Sequence, residues 1–147
     1  MSEIREACGV FGIYTKEHLQ DVATSTYYGL YALQHRGQES CGIVVNDDGV
    51  FHTHVDNGMA SEVFDADTLK SLGLGNMAIG HVRLGTSTTK GIANAQPLVV
   101  NHIKGQMALA HNGTLTNAIE LKREFELKGS IFRTSCDAEI MSYLITN

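Results

Sequence analysis

The chain has 147 residues, of which 43% are hydrophobic and 18% charged, a composition typical of one globular domain with its own core. Its formal net charge of −5, without a cluster of Lys or Arg, argues against nucleic acid as a partner. No apolar run is long enough to span a bilayer, so we expect no membrane partner. Three cysteines without a CxxC pair fit neither a disulfide framework nor a metal site, and they indicate a reducing cytoplasm.

The first half of the chain predicts a strand, a helix and a β-hairpin. Residues 8–14 alternate β-branched and aromatic types, as in a strand. Apolar residues at helical spacing predict a helix from about Leu19 to Leu33. Residues 40–45 and 50–55 flank Asn46-Asp47-Asp48-Gly49, a turn sequence that predicts the hairpin.

A short helix, a strand and a second hairpin follow. The helix is expected near residues 65–72, where two glycines end it. The strand covers 76–83 and runs into a polar loop that contains glycine. Residues 98–103 and 106–111 surround Lys104-Gly105 and predict the second hairpin.

Two further helices are predicted. In the first, Asn117 is expected to cap the amide of Glu120 while Glu120 reaches back, and Gly129 follows the last turn. The second begins near Asp137. Each has one apolar face, formed by Ala118, Leu121 and Phe125 in the first helix and by Ile140, Met141 and Leu144 in the second. The order of elements predicts a layered α+β domain. Nothing in the sequence covers the last apolar face, so we expect the chain to stop within a domain.

Cys8 is the first candidate for chemistry. It follows a polar segment of seven residues, and cleavage of the Ala7–Cys8 bond would give one residue a thiol and a free α-amine, which titrate near ~8.5 and ~8. Such a residue serves as both nucleophile and proton acceptor. The structural alternative is that Cys8 is a small buried strand residue.

Three other clusters carry suitable polar groups. Arg83 and Thr86, where a strand ends, suit a carboxylate. Asn112 beside Gly113 offers two donors, as in an oxyanion hole, and Asp137 at a helix start suits a cap or an ammonium. The structural alternatives are a surface salt bridge for Arg83, a tight turn for Asn112-Gly113 and an N-cap for Asp137. Together the clusters predict a site for an amino acid with an amide side chain.

Five sequence blocks occur in order along nearly the whole chain. They are Cys8–Ile13, Leu33–Ser40, Gly80–Arg83, Asn94–Leu98 and Ala110–Asn117. In this order they resemble the class II glutamine amidotransferases of the N-terminal-nucleophile type. The second block, Leu-Gln-His-Arg-Gly-Gln-Glu-Ser, points within the class to the amidophosphoribosyltransferase family. The resemblance implies an α+β fold, the αββα sandwich of N-terminal-nucleophile hydrolases, here expected to be incomplete at its C-terminus.

The resemblance also implies a function. Residues 1–7 would be a leader removed on maturation, and residues 8–147 the N-terminal part of the glutamine amidotransferase domain, with the phosphoribosyltransferase domain absent. The reaction would be hydrolysis of L-glutamine to glutamate and ammonia, which supplies phosphoribosylamine formation in the first step of de novo purine synthesis. No cofactor is expected in this segment, since magnesium with phosphoribosyl pyrophosphate would belong to the absent domain. Homo-oligomerisation stays open.

The same resemblance assigns seven residues to the site. Cys8 would form a glutamyl thioester, Asn112 and Gly113 would form the oxyanion hole, Arg83 and Thr86 would hold the α-carboxylate of glutamine, Asp137 would hold its α-amino group, and Arg36 would support the nucleophile.

Two positions depart from the family pattern. Leu84 stands where an aromatic residue is usual after the arginine, and Cys136 stands where serine is more usual. Two other functions remain as alternatives. The chain would then be the glutaminase domain of a sibling such as glucosamine-6-phosphate synthase, or a catalytically silent, truncated fragment that binds glutamine.

Overall fold

The computed structural model describes residues 8–34, 39–83 and 92–147, which form six strands and five α-helices. The strands are β1 (Cys8–Tyr14), β2 (Ser40–Asp47), β3 (Val50–Asn57), β4 (Met77–Arg83), β5 (Leu98–His102) and β6 (Gly105–Leu109). The helices are α1 (Val22–Leu33), α2 (Ala60–Val63), α3 (Ala66–Ser71), α4 (Ala118–Leu127) and α5 (Asp137–Thr146). All six strands were predicted. Helix α2 was not, because a single turn is too short to show a helical period. None of the described helices is long and apolar enough to cross a membrane.

Four strands form an antiparallel sheet in the order β1-β4-β2-β3. Strand β4 lies between β1 and β2, and its last residue, Arg83, is the register partner of both Cys8 and Ser40. The predicted first hairpin joins β2 to β3. Asp48 and Gly49 have φ angles of 47° and 90° at its turn, where glycine relieves the strain of positive φ.

Helix α1 covers one face of this sheet. Val22, Ala23 and Leu30 are buried there against alternate residues of the strands, including Ile43, Val45 and Val82. The helix lies so close that glycine is required beneath it. A Cβ atom on Gly9 would lie 2.9 Å from Val82 Cγ2 and 3.1 Å from Leu33 Cβ. Burial of these apolar side chains against the sheet forms the main core.

The opposite face of the sheet meets the second half of the chain. A Cβ atom on Gly42 of β2 would lie 2.4 Å from the carbonyl oxygen of Gln96, so the segment leading into β5 lies directly on the sheet. Strands β5 and β6 pair as a separate two-stranded sheet, α5 contacts β5, and α4 contacts α5. The prediction of a layered α+β domain is confirmed.

The start of one helix and the cap of another differ from prediction. Helix α1 begins at Val22 instead of near Leu19, because the Asp21 side chain caps it by accepting a hydrogen bond from the Thr24 N–H at 3.0 Å. The predicted capping box at Asn117 is wrong, since its side chain makes no capping bond. Asn117 has φ −112° and ψ 26° instead of the extended conformation of a cap.

The predicted end of α4 is confirmed. Gly129 has a φ of 95°, and the N–H of Ser130 donates to the carbonyl of Phe125 at 2.9 Å. This is the bond pattern of a glycine-terminated helix.

Candidate active site

Cys8 and Arg83 lie side by side at one end of the four-stranded sheet. They are directly opposed across the β1–β4 ladder, and paired residues on adjacent strands have side chains on the same face, with Cα atoms about 4.5–5.5 Å apart. Their neighbours Gly9 and Val82 face α1. Cys8 and Arg83 therefore face the second half of the chain, and both are half-buried.

The Arg83 guanidinium is anchored to the segment before β5. Its Nη1 donates to the backbone carbonyl of Asn94. The Asn94 side chain is buried, and its Oδ1 accepts hydrogen bonds from the backbone N–H and the hydroxyl of Ser135, at 3.0 and 3.2 Å. Arg83 is thus a half-buried residue whose head is oriented by a second polar segment, and not an exposed surface charge.

Asn112 and Gly113 lie in the loop after β6, and both are exposed. Gly113 has a φ of 151°, which a residue with a side chain rarely adopts. The preceding residue, His111, is bound through both its backbone polar groups. Its N–H donates to Gln96 Oε1 at 2.7 Å, and its carbonyl oxygen lies 3.1 Å from His81 Nε2.

His81 is fully buried on the same strand as Arg83. The pKa of its imidazole is lowered to about 4, mainly by burial; the hydrogen bond to His111 opposes this shift, and the charges of Arg83 and His111 add to it. The ring is neutral at neutral pH. Because its partner is a carbonyl oxygen, Nε2 carries the proton and donates it.

Asp137 is the first residue of α5 and not its N-cap, so that structural alternative is wrong; the N-cap is Cys136. The Asp137 carboxylate instead accepts a hydrogen bond from the backbone N–H of Leu115, with Oδ2 at 2.6 Å. A carboxylate has two oxygens and about four acceptor positions, so it retains capacity for an ammonium group. Asp137 thus joins the helix start to the loop that carries Asn112 and Gly113.

Cys136 and Cys41 are held as thiols by their surroundings. Burial raises the pKa of Cys136, which accepts a hydrogen bond from Gln96 Nε2 at 3.1 Å. Burial, together with the nearby carboxylates of Asp56 and Glu62, raises the pKa of Cys41 to about 12. Since the thiolate is the reactive form, neither residue competes as a nucleophile at neutral pH. Cysteine in place of the more usual serine at position 136 is a mild change, because its sulfur still accepts a hydrogen bond from Gln96.

Sequence reasoning missed three buried polar residues. Gln96 and Asn94 connect the sheet to the segment before α5, and Glu139 binds the backbone N–H groups of Arg133 and Thr134 at 2.7–3.2 Å. The sequence signal for Glu139 was an acidic residue between two apolar ones, Ala138 and Ile140. Gln96 and Asn94 stand in the sequence block Asn94–Leu98, but their side-chain contacts gave no signal, since the partners lie 15 to 41 residues away.

The remaining predicted positions lie outside the described residues. These are Arg36, Thr86, Leu84 and the leader 1–7. The structure brings Cys8 and Arg83 together, and it links them through His81, Asn94 and Gln96 to the segments that carry Asn112, Gly113 and Asp137. In the described ranges, no group of three His, Cys, Asp or Glu side chains is placed to hold a metal ion.

Comparison with known proteins gives the class. Residues 65–147 match the glutamine amidotransferase domain family. The chain belongs to this family.

Several named proteins align with most of this chain. The amidophosphoribosyltransferase of Methanocaldococcus jannaschii is 48% identical over 138 residues, which are 94% of this chain and 29% of that protein. A solved structure described as the allosteric regulatory enzyme of purine biosynthesis superposes with a TM-score of 0.84 at 46% identity. The match covers 92% of this chain and 29% of that one. The solved structure of the glutamine phosphoribosylpyrophosphate amidotransferase of B. subtilis superposes with a TM-score of 0.81 at 47% identity. The match covers 92% of this chain and 28% of that one. The chain thus spans less than a third of these relatives.

Proposed function

We propose that this chain hydrolyses L-glutamine to glutamate and ammonia, with Cys8 as the nucleophile. The observation that carries the proposal is the pairing of Cys8 with Arg83 at the sheet end, facing the segments that bear Asn112, Gly113 and Asp137. A thiol, a guanidinium, a carboxylate and two N–H donors are the groups needed to bind an amino acid and attack its side-chain amide.

The reaction proceeds in two halves. The Cys8 sulfur forms a bond to the side-chain carbonyl carbon of glutamine, and the thiol proton passes through the α-amine to the leaving nitrogen. Loss of ammonia leaves a glutamyl thioester. Water then adds to the same carbon, the C–S bond breaks, and glutamate leaves with the thiol restored.

Each remaining group has one task in this scheme. Arg83, with Thr86, binds the α-carboxylate of glutamine, and Asp137 binds its α-ammonium. Asn112 and the Gly113 N–H stabilise the oxyanion of both tetrahedral intermediates. Arg36 supports the nucleophile. The free α-amine of Cys8 requires cleavage of the Ala7–Cys8 bond, so residues 1–7 are a removable leader in this proposal.

The ammonia serves phosphoribosylamine formation, the first step of de novo purine synthesis. Support comes from two relatives named amidophosphoribosyltransferase, each of which aligns with nearly the whole chain over 29% of its own length. In this proposal the chain is the N-terminal glutaminase part of such an enzyme, and phosphoribosylamine formation is the task of the phosphoribosyltransferase part. The names of these relatives favour this assignment over the glucosamine-6-phosphate synthase alternative.

The test combines processing and activity. Intact mass shows whether Cys8 is the first residue, and ammonia release from glutamine measures the reaction. Cys8→Ala should abolish release, whereas the buried control Cys41→Ala should keep it. A processed, folded protein that releases no ammonia would overturn the proposal in favour of the silent fragment. Release that survives Cys8→Ala would remove the nucleophile.

A further inference from the structure

Two buried side chains determine where the residue before Asn112 lies. His111 is beyond the end of β6 at Leu109, so sheet pairing does not fix it. Its N–H is bound by Gln96 Oε1 and its carbonyl oxygen by His81 Nε2. Both polar groups of one peptide segment are therefore held by side chains from other parts of the chain.

The position of His81 is fixed by the sheet. It lies within β4, which is paired on one side with β1 and on the other with β2, and its side chain has no exposed surface. Its Nδ1 atom is buried without a hydrogen-bond partner in the described part of the chain. A buried polar atom left unpaired costs stability. We therefore interpret the imidazole as retained for its Nε2 contact to His111.

Gln96 provides the second contact and links it to α5. Its side chain is 5% exposed; Oε1 accepts from His111, and Nε2 donates to Cys136 Sγ at 3.1 Å. Cys136 immediately precedes Asp137. One amide group thus fixes the distance between the loop with Asn112 and the start of the helix with Asp137.

We propose that His81 and Gln96 are positioning residues that hold His111 so that the donors of Asn112 and Gly113 point at the developing oxyanion. The inference rests on the proposed function. Oxyanion donors act from about 2.7–3.1 Å, and a displacement of about 1 Å in a supporting element is enough to cost a large factor in rate. Because both residues are buried, with His81 0% and Gln96 5% exposed, we expect no contact with glutamine, so that their loss lowers kcat and leaves KM.

Pairs of variants separate the hydrogen bonds from packing. Gln96→Met removes both polar contacts at similar volume, whereas Gln96→Glu keeps an acceptor for the His111 N–H. His81→Phe removes the donor, whereas His81→Gln keeps one. Two controls make the same chemical changes away from the loop. They are Gln106→Met, at an exposed position of β6, and His52→Phe, at a half-buried position of β3.

The expected result is a fall in kcat of about 10- to 100-fold for Gln96→Met and His81→Phe, with KM for glutamine within about twofold. Gln96→Glu and His81→Gln should recover part of the rate, and the two controls should match the wild type. The aldehyde analogue of glutamine, which forms a tetrahedral adduct with a thiol, should lose affinity by the same factor as kcat. Affinity for glutamate should stay constant, because glutamate forms no such adduct.

The outcomes distinguish this inference from the proposed function. Absence of ammonia release by the processed wild-type chain would overturn both. An active wild type, with Gln96→Met and His81→Phe at the wild-type kcat, would overturn the positioning role alone. If His81→Phe does not fold, hydrogen exchange decides: Gln96→Met should speed exchange at the amides of residues 111–113, and unchanged exchange would overturn the inference.

Discussion

The Asp137 carboxylate accepts a hydrogen bond from the backbone N–H of Leu115 at 2.6 Å. His81 and Gln96 bind the same loop at His111. The loop from His111 to Leu115, which carries the exposed Asn112 and Gly113, is therefore held at both ends by side chains. Asp137 has a structural contact in addition to its proposed contact with substrate.

Two substitutions of Asp137 separate these contacts. Asp137→Asn keeps an oxygen acceptor for Leu115, so its free energy of unfolding should match that of the wild type. Asp137→Ala leaves the N–H unpaired and should lose about 1–3 kcal/mol in urea denaturation. Both should raise KM for glutamine, since both remove the charge that binds the ammonium. Asp67→Ala, an exposed residue of α3, is the control, and a wild-type KM in Asp137→Asn would exclude substrate binding.

Arg83→Ala should damage glutamine binding far more than folding. The substrate carboxylate would lose its paired charge, and we expect a loss of ~2–5 kcal/mol in binding, measured as the KM for ammonia release. Arg83→Lys should recover little, because an ammonium lacks the planar fork of donors. Arg123→Ala, exposed on α4, controls for charge. An unchanged KM in Arg83→Ala would remove Arg83 from the site.

Asn112→Ala should lower turnover by roughly 100- to 1,000-fold if the side chain supplies one oxyanion donor. Its melting temperature should not change, because the side chain is exposed. Asn117→Ala is a matched control, since that exposed side chain makes no capping bond. A wild-type turnover number in Asn112→Ala would reject the oxyanion role.

The buried His81 should make stability depend on pH. Its pKa is about 4 in the folded chain and 6.5 when unfolded, so the unfolded chain binds more protons between these values. His81 therefore does not lower the free energy of unfolding above about pH 6.5. As the pH drops towards 4, that free energy falls by about 3 kcal/mol in total. His81→Gln should reduce this slope in denaturation curves, and His52→Phe should keep it. Equal slopes in His81→Gln and wild type would contradict the assignment.

Local sequence rules were enough for most elements of the fold. The first hairpin follows from its turn residues, and the end of α4 follows from Gly129. The predicted capping bond of Asn117 does not form, because the chain already turns before this residue. The Ala118 N–H donates to the Leu115 carbonyl, and Asn117 therefore lacks the extended conformation that capping needs. Whether a cap forms depends on the preceding residues as well as on its own type.

The site was predictable only in part. The chemical types of Cys8, Arg83 and Asp137 show in the sequence, and the strand pattern places Cys8 and Arg83 at strand ends. The contacts of Gln96 do not show, since its two partners are 15 and 40 residues away and both bonds depend on how the layers pack. A buried glutamine is recognisable as structural only once its surroundings are known.

The close approach of α1 to β1 limits which substitutions are accepted next to Cys8. Residue 8 is half-buried and faces away from the helix, so α1 does not restrict its side chain. One peptide bond later, Gly9 has no room for a single methyl group, since Val82 and Leu33 occupy that space. A library of variants built around residue 8 must therefore keep Gly9 fixed.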